Sequence, residues 1–193
     1  DALSNFYPLT LNRSIGDLRC GITKLRQRLE SIFCDSEETC VIIAENLVPL
    51  YQERHPDWII NSAVRGEKLY LNSRIVITAD AMEQIQKLDF GSCLYAGQNI
   101  VAIKVKDTSI FPDVAKLKKK LCNIKLYNCL ADIIQDNSRM LMRDYHLHFY
   151  DGENYFETEP GVTVLHPYNV WYNQFPSPQN LPNIVLRPSH GKK

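Results

Sequence analysis

Within the stretch YPLTLNRSIGDLRCGI, residues 7–22, Arg13 and Arg19 flank Asp17 and are interleaved with Gly16 and Gly21. Guanidinium groups present planar, fork-shaped donors that match the oxygens of phosphate and carboxylate. The stretch runs directly into a helical pattern, and a helix start offers free backbone amides and the positive end of the dipole. The chemistry these residues could do is therefore the binding of anionic oxygens, phosphate first. The same spacing also describes a loop in which Asp17 pairs with an arginine and caps the helix, and spacing alone leaves both readings open.

Other residues could contribute. Asn61 and Ser62 close the apolar run DWIINSA, residues 57–63. Ligands of open α/β sheets sit beyond the carboxyl ends of such strands, so both are positional candidates for ligand or metal contact. The alternative is that they cap a strand or turn. His146 and His148 would share a face if YHLHFY were a strand and could then meet a metal, but no third ligand lies near them in sequence and no metal site is expected there. The six cysteines show no Cys-x-x-Cys pair and read as buried thiols rather than zinc ligands or disulfides. Lys116, Lys118, Lys119 and Lys120 read as the solvated face of a helix, because no aromatic residue is interleaved with them.

The elements that must position these groups follow from periodicity. Ile22, Leu25, Leu29 and Ile32 recur at helical spacing and predict a helix over 23–33. TCVIIA, residues 39–44, and DWIINSA predict strands buried on both faces, as in a parallel sheet. Between them a helix over 46–55 tolerates Pro49 only in its first turn and stops at Pro56. A strand over 68–78 precedes a helix over 79–88 capped by Thr78, with Met82, Ile85 and Leu88 on its apolar face. Residues 92–96 and 99–106 alternate around Gly97 and Gln98 and predict a hairpin. Helices are expected over 113–122 and over 127–146, the second interrupted near Asp136 and Asn137. From Asp151 the chain is rich in Asn, Pro, Tyr and Gly, with a strand-like Tyr155 to Glu157. Gly161, Val162, Val164 and Val170 suggest the first rung of a short-period repeat, as in a left-handed parallel β-helix. These patterns divide the chain into an α/β domain over 1–148 and a β-rich extension or linker over 149–193.

Bulk properties exclude some partners. The 193 residues carry 22 Lys plus Arg and 22 Asp plus Glu, so no overall field attracts nucleic acid or an anionic membrane, and neither partner is expected. No apolar run approaches the length of a membrane span and no signal peptide is recognisable, so a cytoplasmic location is expected.

The segment PLTLNRSIGDLRCGITKLRQRLE resembles the opening of a family of sugar nucleotidyltransferases. They read Pro-Leu-Thr, one residue, Thr-Arg-Pro, a short stretch, Leu-Arg-x-Gly-Ile and then a helix. They are in turn similar to the N-terminal domain of bifunctional N-acetylglucosamine-1-phosphate uridyltransferases. Pro8, Leu9, Thr10, Arg13, Leu18, Arg19, Gly21 and Ile22 match this pattern, while Asn12 replaces the usual Thr and Ser14 the usual Pro.

The resemblance implies a Rossmann-like α/β nucleotidyltransferase domain that moves a nucleoside monophosphate from a nucleoside triphosphate to a sugar 1-phosphate, with Mg2+ as cofactor. It assigns catalytic phosphate contacts to Arg13, on the β and γ phosphates, and to Arg19, and close backbone approach to Gly21; Asp17, Gly21, Asn61 and Ser62 are expected as substrate-binding positions beside them. Asn61 stands where such transferases carry the aspartate that holds magnesium, and the Gly-x-Gly-Thr-Arg loop that wraps the triphosphate is not among these residues. The alternative is therefore a catalytically degenerate domain that binds a nucleotide or sugar nucleotide, or acts as a scaffold. The family opens with a strand and an acidic pair upstream of Pro-Leu-Thr. With no Met at position 1, the sequence is expected to be a fragment or a processed chain in which Asp1 is the remnant of that pair. Homo-oligomerisation is expected if a full β-helix follows.

Overall fold

The computed structural model describes residues 4–34, 39–106, 111–148, 170–173 and 183–186. The chain forms two compact units, one of residues 1–19 and 24–133, the other of residues 20–23 and 134–193. Helices and sheets are mixed, as the α/β patterning predicts.

In the first unit, α1 (Leu25–Phe33) buries Leu25 and Leu29. Next, β1 (Cys40–Val41) and β2 (Ile59–Ile60) pair in parallel, with α2 (Val48–Arg54) between them. Both strands are shorter than their apolar runs suggest, and Ile42, just past β1, is 49% exposed. Pro49 sits in the first turn of α2, where a missing N–H costs nothing. Leu47, Tyr51 and Ile60 form a small core under this pair, with Trp58 packed against it.

The larger sheet has the order β3-β5-β4-β6, from β3 (Glu67–Leu71), β4 (Ser92–Ala96), β5 (Asn99–Lys106) and β6 (Lys118–Leu121). The predicted hairpin is β4 and β5, turning at Gly97, with Leu94 opposite Ala102 and Cys93 opposite Ile103. Successive residues point to opposite faces, and here both faces are buried: Leu94 and Ala102 belong to one apolar cluster, Cys93 and Ile103 to another. The first cluster includes Ile85 and Leu88, from and just beyond α3 (Ala79–Gln86). The Thr78 hydroxyl accepts the Ala81 amide at 3.1 Å, as predicted for its N-cap.

Three expectations and one conditional reading are corrected. Residues 113–122 are not a helix: a short 3-10 turn, Val114–Lys116, leads into β6, which runs parallel to β4. The Lys118 amide donates to Gly91 O at 2.9 Å and the Cys122 amide to Tyr95 O at 2.8 Å, so pairing on an open sheet edge outweighs helix propensity. Although no aromatic residue is interleaved in the lysine run, the fold brings rings to lysines, with Lys119 Nζ 5.7 Å from the Tyr95 centroid. Secondly, α4 (Leu130–His148) continues through Asp136 and Asn137 without a break. Thirdly, residues 146 and 148 are helical, and positions two apart in a helix do not share a face, so the premise for a histidine pair is gone. Fourthly, only Cys20 and Cys93 are buried; Cys34 and Cys40 are exposed, Cys122 and Cys129 half-buried.

In the second unit, residues 20–23 bond to α4, as detailed below. Strands β7 (Val170–Asn173) and β8 (Asn183–Leu186) pair antiparallel. The strand-like 155–157 and the repeat residues 161–164 lie outside the described residues.

Candidate functional site

Arg13 lies in the turn between Pro8 and a short 3-10 helix, Ile15–Asp17. What fixes that turn is Asp17, whose side chain is only 7% exposed. Its carboxylate accepts from the Tyr51 hydroxyl, from Lys24 Nζ at 2.9 Å and from Arg26 Nε at 3.1 Å, with Ser14 Oγ at 3.4 Å. Burial pushes the Asp17 pKa up. The hydrogen bonds from Tyr51 and Lys24 and the charges of Arg26 and Lys24 outweigh it and hold the carboxyl below its ordinary value. Burial and the Asp17 carboxylate raise the Tyr51 pKa. Asp17 thus pairs with an arginine, Arg26, and that guanidinium also meets both carboxylate oxygens of Glu30 at 3.0 and 2.8 Å and lies 4.2 Å from the Trp58 ring centroid.

The Tyr51 oxygen accepts the Ser14 amide at 2.8 Å, and one turn later along α2 the Arg54 guanidinium donates to Asn12 O at 3.5 Å. Positions 51 and 54 share a helix face, so residues 12–14 are laid along that face. Arg13 is exposed, and its Nε donates to Asn12 Oδ1 at 3.3 Å. Neither Arg13 nor Arg54 meets a carboxylate among the described residues. Arg19 is exposed, and its backbone bridges to Lys24.

Gly21 has φ +77°, the left-handed region. Its amide donates to Asn137 Oδ1 at 2.7 Å, and the Ile22 and Thr23 amides donate to Asp144 Oδ2 at 2.9 and 3.2 Å. A Cβ on Gly21 would lie 2.8 Å from the Met140 carbonyl carbon. The close backbone approach this glycine permits is therefore to α4, and the amides before α1 are engaged by side chains of α4 within the same unit.

Asn61 adopts φ +46°, a conformation Asn tolerates better than most residues. Its Oδ1 accepts the Ile43 amide at 2.8 Å, while Nδ2 donates to Ile43 O at 2.9 Å and to Glu45 Oε1 at 3.0 Å. The amide side chain thus extends the β1–β2 pairing by one more rung. Ser62 Oγ donates to Ile60 O at 3.0 Å. The acidic residue beside Asn61 is Glu45, missed in the sequence because it lies 16 positions away in a polar turn. Magnesium takes near-octahedral oxygen ligands, usually one or two carboxylates with substrate phosphates and water. At this strand end the Asn61 oxygen faces an N–H and one exposed carboxylate remains, and no group of three metal-ligating side chains exists among the described residues. The described residues do not form a protein-held magnesium site.

Tyr51 and Arg54 were also missed. The signal that could have found them is their shared face on a predicted helix, an argument that needs the turn as its partner. No helix among the described residues is long and apolar enough to cross a membrane. Comparison with curated proteins and with solved structures returns no match. The family described as sugar nucleotidyl transferase matches residues 1–150. That span includes the arginine-bearing turn, both parallel strands and the larger sheet, and the chain belongs to the sugar nucleotidyl transferase family.

Proposed function

We propose that this chain transfers a nucleoside monophosphate from a nucleoside triphosphate to a sugar 1-phosphate. In that reaction a phosphate oxygen of the sugar 1-phosphate attacks the α-phosphorus. A new P–O–P bond forms, the bond bridging the α- and β-phosphates breaks, and pyrophosphate leaves with its electron pair. Such transfers are mostly positioning and charge neutralisation, for which cationic donors are the protein's main contribution. The observation that carries this reading is Arg13, an exposed guanidinium without a carboxylate partner among the described residues, on a turn fixed by the Asp17 and Tyr51 pair. Arg13 would contact the β and γ phosphates and Arg19 would be a second clamp. Asp17 would serve by holding the turn, and Gly21, Asn61 and Ser62 by shaping the segments around the substrate. Magnesium would then have to arrive with the triphosphate.

A second reading is favoured by Asn61, whose amide oxygen is occupied by the Ile43 amide. Under it the domain binds a nucleotide or sugar nucleotide without turnover. Pyrophosphate release separates the two when nucleoside triphosphates are crossed with sugar 1-phosphates in the presence of magnesium. Release that requires both substrates and disappears in Arg13→Ala supports transfer. No release from a folded protein that still binds nucleotide establishes the second reading instead.

A further inference from the structure

We propose that Arg13 and Arg54 form a two-guanidinium clamp for a single phosphate or pyrophosphate group, with Arg54 a binding residue that the sequence motif does not contain. The proposal deepens the transferase reading and rests on it for the identity of the full substrate, though not for the clamp itself.

Three observations support it. The two guanidiniums converge on one residue, Arg13 Nε at 3.3 Å from Asn12 Oδ1 and Arg54 Nη1 at 3.5 Å from Asn12 O. Both acceptors are neutral, so neither positive charge is compensated within the described residues. Two like charges drawn to one small residue repel each other unless an anion lies between them, and a phosphate group offers enough oxygens to accept from both forks at once.

The third observation is rigidity. Arg54 is fixed to the turn by the same helix face that carries Tyr51, and Tyr51 is held both to the Ser14 amide and to Asp17. The backbone positions of the two arginines are therefore set relative to one another before a ligand arrives, and only their exposed side chains remain to be ordered on binding. Two cationic forks fit phosphate better than a metal or an apolar ligand, and Asn12 supplies the acceptors that orient them.

The test is calorimetric titration of the full chain with inorganic pyrophosphate at fixed ionic strength, for the unaltered protein, Arg13→Gln, Arg54→Gln, Arg54→Lys and the exposed control Arg65→Gln. Charge-assisted hydrogen bonds of this kind give an expected loss of roughly ten- to a hundredfold for each of the first two variants. Arg13→Gln and Arg54→Gln combined in one chain should lose less than the product of the two, because both act on one anion. Arg54→Lys should recover part of the loss, since a point charge replaces a fork. Arg65→Gln should bind as the unaltered protein does. Equal affinity in Arg54→Gln and Arg65→Gln overturns the clamp, and so does a folded, unaltered protein that takes up no pyrophosphate.

The transferase reading fails separately. Pyrophosphate binding lost in both arginine variants, alongside no transfer by the unaltered protein, leaves the clamp standing and removes catalysis. Transfer by the unaltered protein, together with equal pyrophosphate affinity in Arg54→Gln and Arg65→Gln, removes the clamp and leaves catalysis.

Discussion

The phenol of Tyr51 donates to the carboxylate of Asp17 across 34 positions of sequence, and through it α2 is fastened to the turn that carries Arg13. Because the same phenol oxygen accepts the Ser14 amide, one side chain serves both the charge and the backbone of that turn. The consequences can be measured.

Asp17→Ala leaves Lys24 and Arg26 without their shared carboxylate in a largely buried place. Removing one partner of such a network costs about 3 kcal/mol. Tyr51→Phe removes the donor to Asp17 and the acceptor of the Ser14 amide and should cost about 1–3 kcal/mol. Urea unfolding midpoints at neutral pH report both, and Tyr51→Phe should additionally weaken pyrophosphate binding because it releases Ser14 from α2.

The pH dependence has a definite sign on each side. The folded Asp17 carboxyl lies below its ordinary value of 3.8, so its contribution is complete above 3.8 and is lost as pH falls through the lower folded value. Tyr51 lies above its ordinary 10.0, so its contribution is complete below 10.0 and is lost as pH rises through the higher folded value. Unfolding free energy measured from neutrality toward acid should fall less steeply below 3.8 in Asp17→Asn than in the unaltered chain. Equal acid slopes would show that other carboxylates dominate.

Gly21→Ala should be among the most damaging small substitutions. The left-handed φ costs about 1–2 kcal/mol for a residue with a Cβ. The added carbon would also stand 2.7 Å from Asp144 Oδ2 and 2.8 and 2.9 Å from the Met140 backbone. Gly97→Ala shares a positive φ, of 60°, but meets nothing within 4 Å, and so isolates the backbone cost. A thermal scan of the two variants should show the larger drop for Gly21→Ala.

Asn61→Asp should destabilise this chain. The carboxylate cannot donate to Ile43 O or to Glu45, and it adds a negative charge opposite both acceptors. A cost of about 2 kcal/mol is expected at pH 7, read from chemical denaturation.

Much of this was legible in the residue pattern. The hairpin of β4 and β5 and the Thr78 cap of α3 depend on local signals, alternation around a glycine and a hydroxyl three residues before the amide whose hydrogen it accepts, and both appear as expected. The lysine run over 116–120 was not legible, because lysine and leucine suit a helix locally and only the open edge of β4 makes the strand preferable. Lysines on an edge strand are also a common defence against unwanted pairing. Likewise Asp136 and Asn137 look like helix breakers. In α4, Asp136 pairs with Arg139 and Asn137 receives the Gly21 amide, so their polarity is used without ending the helix. At the candidate site the arginine motif was visible, whereas Tyr51, Arg54 and Glu45 act through contacts 16 to 42 positions apart, which no window of sequence contains.

The carboxylate of Asp144, 1% exposed, gathers the amides of Ile22 and Thr23 and the Thr23 hydroxyl. A four-residue splice from the amino-terminal region is thereby an integral part of a unit otherwise drawn from residue 134 onward. Neither unit is a continuous length of polypeptide. Cutting the gene after residue 133 would strand Gly21, Ile22 and Thr23 without their acceptors, and expressing the later residues alone would leave Asp144 a buried charge with none of these donors. Dissection of this protein into pieces has to respect that interleaving, by circular permutation or by supplying both fragments together.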